Sequence, residues 1–172
     1  MQTLRFLARS YVHALETSPI ATKTITAGAI SACGDLLCQM GAQPGPFDLV
    51  RTARMVTWAM ALTPVTHAWY NALNKHLAAK PLAKVACDQL LLTPLSLSAF
   101  LLYCGALESG TLAGGILKVQ TSFSKILLAN LCVWVPVQYV NLGYVPPLYQ
   151  VLFGNAVGLC WSAYLSFAVN KH

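Results

Sequence analysis

The chain has 172 residues, 56% of them hydrophobic and only 9% charged, where soluble domains average about 25% charged. That length holds one domain of about four membrane helices and leaves no room for a separate soluble catalytic domain. The net charge of +6 does not point to nucleic acid, because the basic residues form no patch and no aromatic-interleaved basic run is present to stack bases.

Residues 2–16 open the chain as an amphipathic helix. Leu4, Leu7, Tyr11 and Leu15 recur at helical spacing, and Arg5, Arg9 and His13 repeat every four residues on an adjoining face. No acidic residue precedes Glu16. The pattern fits a retained helix lying in a membrane interface, with a cleavable organelle transit peptide as the alternative. Retention is favoured because Ser18-Pro19 leads straight into the next element.

A first span is expected over about 19–41, with Pro19 in the first turn, where its missing N–H costs nothing. It carries Lys23 near one end and Asp35 towards the other. A second span over about 50–77 contains the uncharged run Met55–Asn74 and a kink expected at Thr63-Pro64. The third, about 81–107, contains the uncharged run Gln89–Leu107 and an internal Pro94. Gly110–Gly115 reads as a loop, followed by an interfacial helical segment over about 116–141 that carries Lys118 and Lys125.

From Ile126 to Asn170 the chain has no Asp, Glu, Lys or Arg. That run exceeds the roughly 20 apolar residues of a single crossing. Pro136, Gly143 and Pro146-Pro147 divide it into the end of the interfacial segment and a last span over about 146–169. The fold class is therefore an all-α membrane protein, a four-transmembrane-helix bundle with an N-terminal amphipathic helix and an interfacial helix before the last span. Basic residues sit at the ends of the apolar runs, where they set topology and meet anionic headgroups, and their distribution places the termini in the matrix or cytosol.

Charges at membrane depth need partners or water, because each costs about 2.5–3.5 kcal/mol even on insertion scales. Asp35 is expected to pair with Arg51 or Arg54 across antiparallel spans. At the other membrane level Lys23, His67 and Asp88 are expected to meet, with Gln89 beside them. These groups either lock the bundle or line a hydrated path together with Thr24, Gly28, Ser31, Thr63 and Ser96. No nucleophile has a base beside it, so no catalytic site is assigned and the chain is not read as an enzyme.

Gly154 and Gly158 form a GxxxG extended by Ser162, and Gly28 with Ala32 gives a second small-residue face for helix packing. Trp69, Tyr70, Trp134, Tyr139, Tyr144, Trp161 and Tyr164 read as interface anchors. Six cysteines, with no CxxC and no Cys/His metal spacing, suggest neither a disulfide framework nor a metal site. No cofactor is expected beyond a bound phospholipid such as cardiolipin.

The string Trp134-Val-Pro136-Val-Gln138, then Asn141, then Val145-Pro146, closing on Trp161-Ser-Ala-Tyr164-Leu165-Ser166, resembles the signature of the Mpv-seventeen family, which includes the twenty-two-kilodalton peroxisomal membrane protein. The resemblance continues upstream in order through Tyr11, Pro19, Thr26-Ala27-Gly28, Gly34-Asp35, Gln39, Asp48, Arg51, Arg54, Pro64, His67, Trp69-Tyr70 and Asp88-Gln89. The chain departs from the family pattern at Ala8, Val135, Leu142 and Gln150.

The resemblance implies a four-span protein of the mitochondrial inner membrane or the peroxisomal membrane that acts as a channel or pore for small metabolites. The Arg-bearing, acid-poor N-terminal helix favours the mitochondrion. The alternative is a structural accessory subunit of a larger mitochondrial membrane complex, of the respiratory chain or ATP synthase, holding lipid through Lys75, Lys80 and Lys84. Expected partners are membrane lipids and either a homo-oligomer or the subunits of such a complex, with no nucleic acid.

Overall fold

The computed structural model describes residues 2–41, 46–78, 80–147, 149–150, 153–154, 156–161 and 164. The described elements are all helical: α1 (Gln2–Thr17), α2 (Pro19–Gly41), α3 (Leu49–His76), α4 (Pro81–Ser109) and α5 (Leu112–Tyr144). The expected last span, 146–169, lies largely outside the described residues. Those described between 156 and 161 are helical.

Polarity is distributed as lipid demands rather than as water does. Leu90, Leu95 and Leu128 are about two-thirds exposed or more, while Asp35 is 0%, Asp88 2% and Asn141 1% exposed. A soluble protein keeps such carboxylates and amides outside and such leucines inside. Helices α4 and α5 are long and apolar enough to cross a membrane. At about 1.5 Å per residue, the 23 residues of α2 and 28 of α3 have the length to do so as well. The segment expected to rest at the interface, 116–141, is part of the single 33-residue helix α5, which runs through Pro136.

Helices α2 and α3 pack together along their lengths, and so do the C-terminal part of α4 and α5. Gly28 lets α2 approach α3, since a Cβ there would lie 3.0 Å from Met60. The tighter approach is between α4 and α5. A Cβ at Gly105 would come within 2.8 Å of the Gly114 carbonyl, and one at Gly115 within 2.6 Å of the Leu102 carbonyl. This contact corrects the expected loop over Gly110–Gly115. Only the left-handed Gly110 (φ 68°) and Thr111 make the turn, and α5 begins at Leu112, capped by the Thr111 side chain accepting from the Gly114 N–H.

An apolar core of Met55, Leu97, Phe100, Leu101, Cys104 and Ile126 fills the space between α3, α4 and α5. Helix α1 docks on α2 by burying Leu15 and by a 2.9 Å hydrogen bond between Tyr11 and Thr26.

Helix α4 has one wide turn, Asp88–Leu92, where the Thr93 N–H reaches the Asp88 carbonyl five residues back. Pro94 has no N–H to continue an α-helical ladder, and its ring would crowd the carbonyl four residues earlier. The extra residue in the turn accommodates both effects. Asp88 and Gln89 are consequently both buried, although they are neighbours in sequence.

Candidate functional site

The polar groups between the helices fall into four clusters. At the α2–α3 end, Arg51 Nε donates to Asp35 at 2.9 Å. The same carboxylate accepts from Thr52 at 2.5 Å and from Gln39 at 2.7 Å, and Gln39 Oε1 in turn accepts from the Asp48 N–H at 2.8 Å. Asp48 caps α3 by accepting from the Arg51 N–H. The turn between α2 and α3 is thus fastened to a fully buried ion pair, and of the two partners expected for Asp35, it is Arg51 that pairs with it.

Arg54 goes elsewhere. Its Nη1 donates to Glu108 at 2.7 Å, and Lys118 pairs with the same carboxylate, so one acid on α4 joins α3 and α5.

The third cluster centres on Asp88, which accepts from Trp69 Nε1 at 3.2 Å, Gln89 Nε2 at 2.9 Å and Gln138 Nε2 at 3.0 Å. Gln138 also donates to the Tyr70 hydroxyl and accepts from Asn141 at 3.0 Å. Three helices meet here, with Trp69 and Tyr70 from α3, Asp88 from α4 and Gln138 from α5. The expected meeting of Asp88 with Lys23 and His67 does not occur. The wide turn directs Asp88 towards Trp69 and Gln138, and its carboxylate is filled by their donors. Trp69 and Tyr70, expected as interface anchors, are instead partners of this interior network. Among the signature residues, Gln138 and Asn141 are interior network members, Trp134 stacks edge-on against Trp161 at 6.4 Å, and Trp161 contacts Tyr164 at 5.1 Å. Pro136 and Pro146 are exposed.

The fourth cluster is cationic. Lys23 Nζ lies 3.0 Å from His67 Nδ1, and His67 Nε2 is 3.2 Å from the Asn71 side chain. An ammonium can only donate, so Nδ1 accepts, and the ring proton on Nε2 then requires Asn71 to turn its amide oxygen towards the ring. Lys84 Nζ donates to Asn74 Oδ1 at 2.8 Å and to the Leu142 carbonyl at 3.3 Å, and Asn74 passes a hydrogen bond to Gln150 at 3.3 Å. Lys84 is 5% exposed, so of the three lysines expected to meet lipid headgroups it is turned inward.

A cavity of about 280 Å³ lies beside this cluster, walled by Lys23 and Ser31 of α2, Thr63, His67 and Asn74 of α3, and Trp134 of α5. A second, of about 250 Å³, is walled by Ser96, Phe100, Asn130 and Trp161. The two share Leu62, Thr66, Tyr70, Trp134 and Gln138, so the Tyr70–Gln138 bridge forms part of the wall common to both.

Of the residues expected along a polar path, Lys23, His67, Ser31 and Thr63 line the first cavity, and Gln89 and Ser96 the second. Asp35, Asp88, Thr24 and Gly28 line neither. Gly154 and Gly158 line the first cavity, and among the described residues a Cβ on Gly158 would meet nothing within 4 Å. Asn71 and Asn74 were not singled out from sequence, and Gln150 only as a departure from the family pattern. The signal available was the spacing of His67, Asn71 and Asn74, four and three residues apart on one helical face. No cluster of metal-ligating side chains exists among the described residues, and all six cysteines are free thiols.

Apolar helix exteriors around a polar, cavity-bearing interior define an all-helical integral membrane protein. The family model described as Mpv17 / PMP22 matches residues 105–166. Peroxisomal membrane protein 2 of Bos taurus is 32% identical over 91% of this chain and 86% of its own length. Mitochondrial inner membrane protein Mpv17 of Danio rerio is 30% identical over 96% and 98%, and protein SYM1 of Gibberella zeae is 31% identical over 92% and 95%. The chain belongs to the Mpv17 / PMP22 family. No solved structure matches it.

Proposed function

We propose that this protein is a four-span channel or pore for small metabolites in the mitochondrial inner membrane, and not an enzyme. The observation that carries the reading is the cavity between α2, α3 and α5, with Lys23, His67 and Asn74 in an otherwise largely apolar wall. Where α5 crosses lipid, as its length and apolarity allow, these groups lie at membrane depth. Polar groups held at that depth are costly unless they pair or meet water, and a hydrated cavity makes them useful. Location at the inner membrane draws on the names of the Mpv17 relatives and on the basic α1. The name of the Bos taurus relative makes the peroxisomal membrane the alternative.

The bridge between Tyr70 and Gln138 would be the constriction through which the two cavities communicate. Purified full-length protein in planar bilayers tests the reading. Discrete conductance steps are expected, and Tyr70→Ala should enlarge them by about twofold or more by removing the partition. Silent bilayers from folded protein would end the channel reading.

The full pairing of Asp35 and of Glu108 supports a second reading, a structural accessory subunit whose internal ion pairs hold the bundle while its outer face meets other chains or cardiolipin. Sizing in mild detergent separates the two. Migration with respiratory or ATP-synthase complexes supports the subunit, and a small homo-oligomer supports the channel.

A further inference from the structure

The chain contains five acidic residues, all of them in described positions. Asp35 is paired with Arg51, and Glu108 with Arg54 and Lys118. Asp88 is filled by Trp69, Gln89 and Gln138, Asp48 caps α3, and Glu16 is exposed on α1. That leaves two buried ammonium groups, Lys23 and Lys84 (8% and 5% exposed), with neutral partners only: an imidazole nitrogen, an amide oxygen and a backbone carbonyl.

Both serve the same cavity. Lys23 lines it directly, and Lys84 stands one residue behind the wall, holding Asn74, which does line it. No acidic side chain lines the cavity. Asp88 does not line it; it accepts from Gln138, which does, and its carboxylate already takes three donors. Two cations desolvated without a counter-charge are expensive, and an anion admitted to the cavity beside Lys23 offsets part of that cost.

We infer that this cavity is a binding site for a small organic anion, a carboxylate or phosphate of metabolite size. The inference deepens the channel reading and rests on it only for the route, since binding can be measured without flux. No arginine fork lines the space, and a lysine recognises charge without imposing bidentate geometry. The site therefore selects by charge and size rather than by the shape of the anionic group. The cavity of about 280 Å³ is roomy enough for an anion of metabolite size. Asn141 contributes a further preference. It is 1% exposed, lines the cavity, and its Oδ1 has no hydrogen-bond partner among the described residues. An unsatisfied buried acceptor there favours an anion that also carries a hydroxyl.

Trp134 lines the cavity and serves as the reporter. Purified full-length protein in mild neutral detergent is titrated at constant ionic strength with lactate, propionate, inorganic phosphate and, as a cationic control, choline, following tryptophan fluorescence. Trp134→Phe identifies the part of the signal that comes from the site. The expected result is a saturable response to lactate and phosphate and none to choline, with propionate weaker than lactate. Lys23→Gln should weaken binding at least tenfold, and Lys23→Arg, which keeps the charge, should hold it within about threefold and so exclude simple misfolding.

An unchanged titration in Lys23→Gln, an equal response to choline, or a response to phosphatidylglycerol alone with none to the free anions would overturn the inference. None of those results bears on whether the protein conducts. Conversely, silent bilayers with intact lactate binding would remove the channel and leave the site.

Discussion

At the scale of single residues, the chain concentrates its cost in a few buried charges and satisfies nearly all of them. Asp35 is the clearest case, at 0% exposure with Arg51, Thr52 and Gln39 around its carboxylate. Removing one member of a buried ion pair costs about 3–5 kcal/mol, because the other charge is left unpaired in a medium that cannot solvate it. Asp35→Ala should therefore lower the thermal unfolding midpoint in detergent sharply. Asp35→Ala combined with Arg51→Met should recover a large part of the loss, and a double variant no more stable than the single one would contradict this account of the pair. Sequence alone placed Asp35 opposite Arg51 or Arg54, because antiparallel spans joined by a short turn put them at one level, and it could not choose between the two. It could not assign Asp88, whose direction is set by a backbone irregularity with no side-chain signature other than Pro94.

The elements show the same division between what periodicity reveals and what packing decides. The bounds of α2 and α3 agree with the sequence reading to within about a residue, because caps and apolar runs mark helix ends locally. The α4–α5 contact was hidden, since glycines near a turn read as loop when their true role is to remove a Cβ from a helix crossing. Overpacking such a contact costs about 1–3 kcal/mol. Gly105→Leu and Gly115→Leu should each reduce detergent stability by at least that amount. Leu at Gly158, where a Cβ would meet nothing within 4 Å among the described residues, should be tolerated for folding. If Gly105→Leu were as stable as the parent protein, the tight α4–α5 crossing described here would be wrong. The expected segment 116–141 ran through Pro136, and α5 likewise runs through it to Tyr144. A proline inside a membrane helix is tolerated where neighbouring groups take up the freed carbonyl.

As a whole molecule, the protein exposes many of its leucines while burying Asp35, Asp88, Lys23, Lys84 and several amides, with two cavities meeting at Tyr70 and Gln138. Membership in the Mpv17 / PMP22 family was legible in the sequence, and the apolar runs showed that the chain resides in lipid. The cavity was not legible, because it depends on which faces of α2, α3 and α5 turn towards one another. The central claim is that this interior is wet and reachable. It is tested most directly by replacing the six native cysteines, introducing Thr63→Cys in the cavity wall, and exposing the protein in liposomes to a membrane-impermeant, water-soluble thiol reagent, with Leu128→Cys on the exposed apolar face of α5 as the control. Thr63→Cys should react and be protected by lactate, while Leu128→Cys should not react. A folded Thr63→Cys protein that stays unlabelled would show the interior to be closed to water and contradict the account.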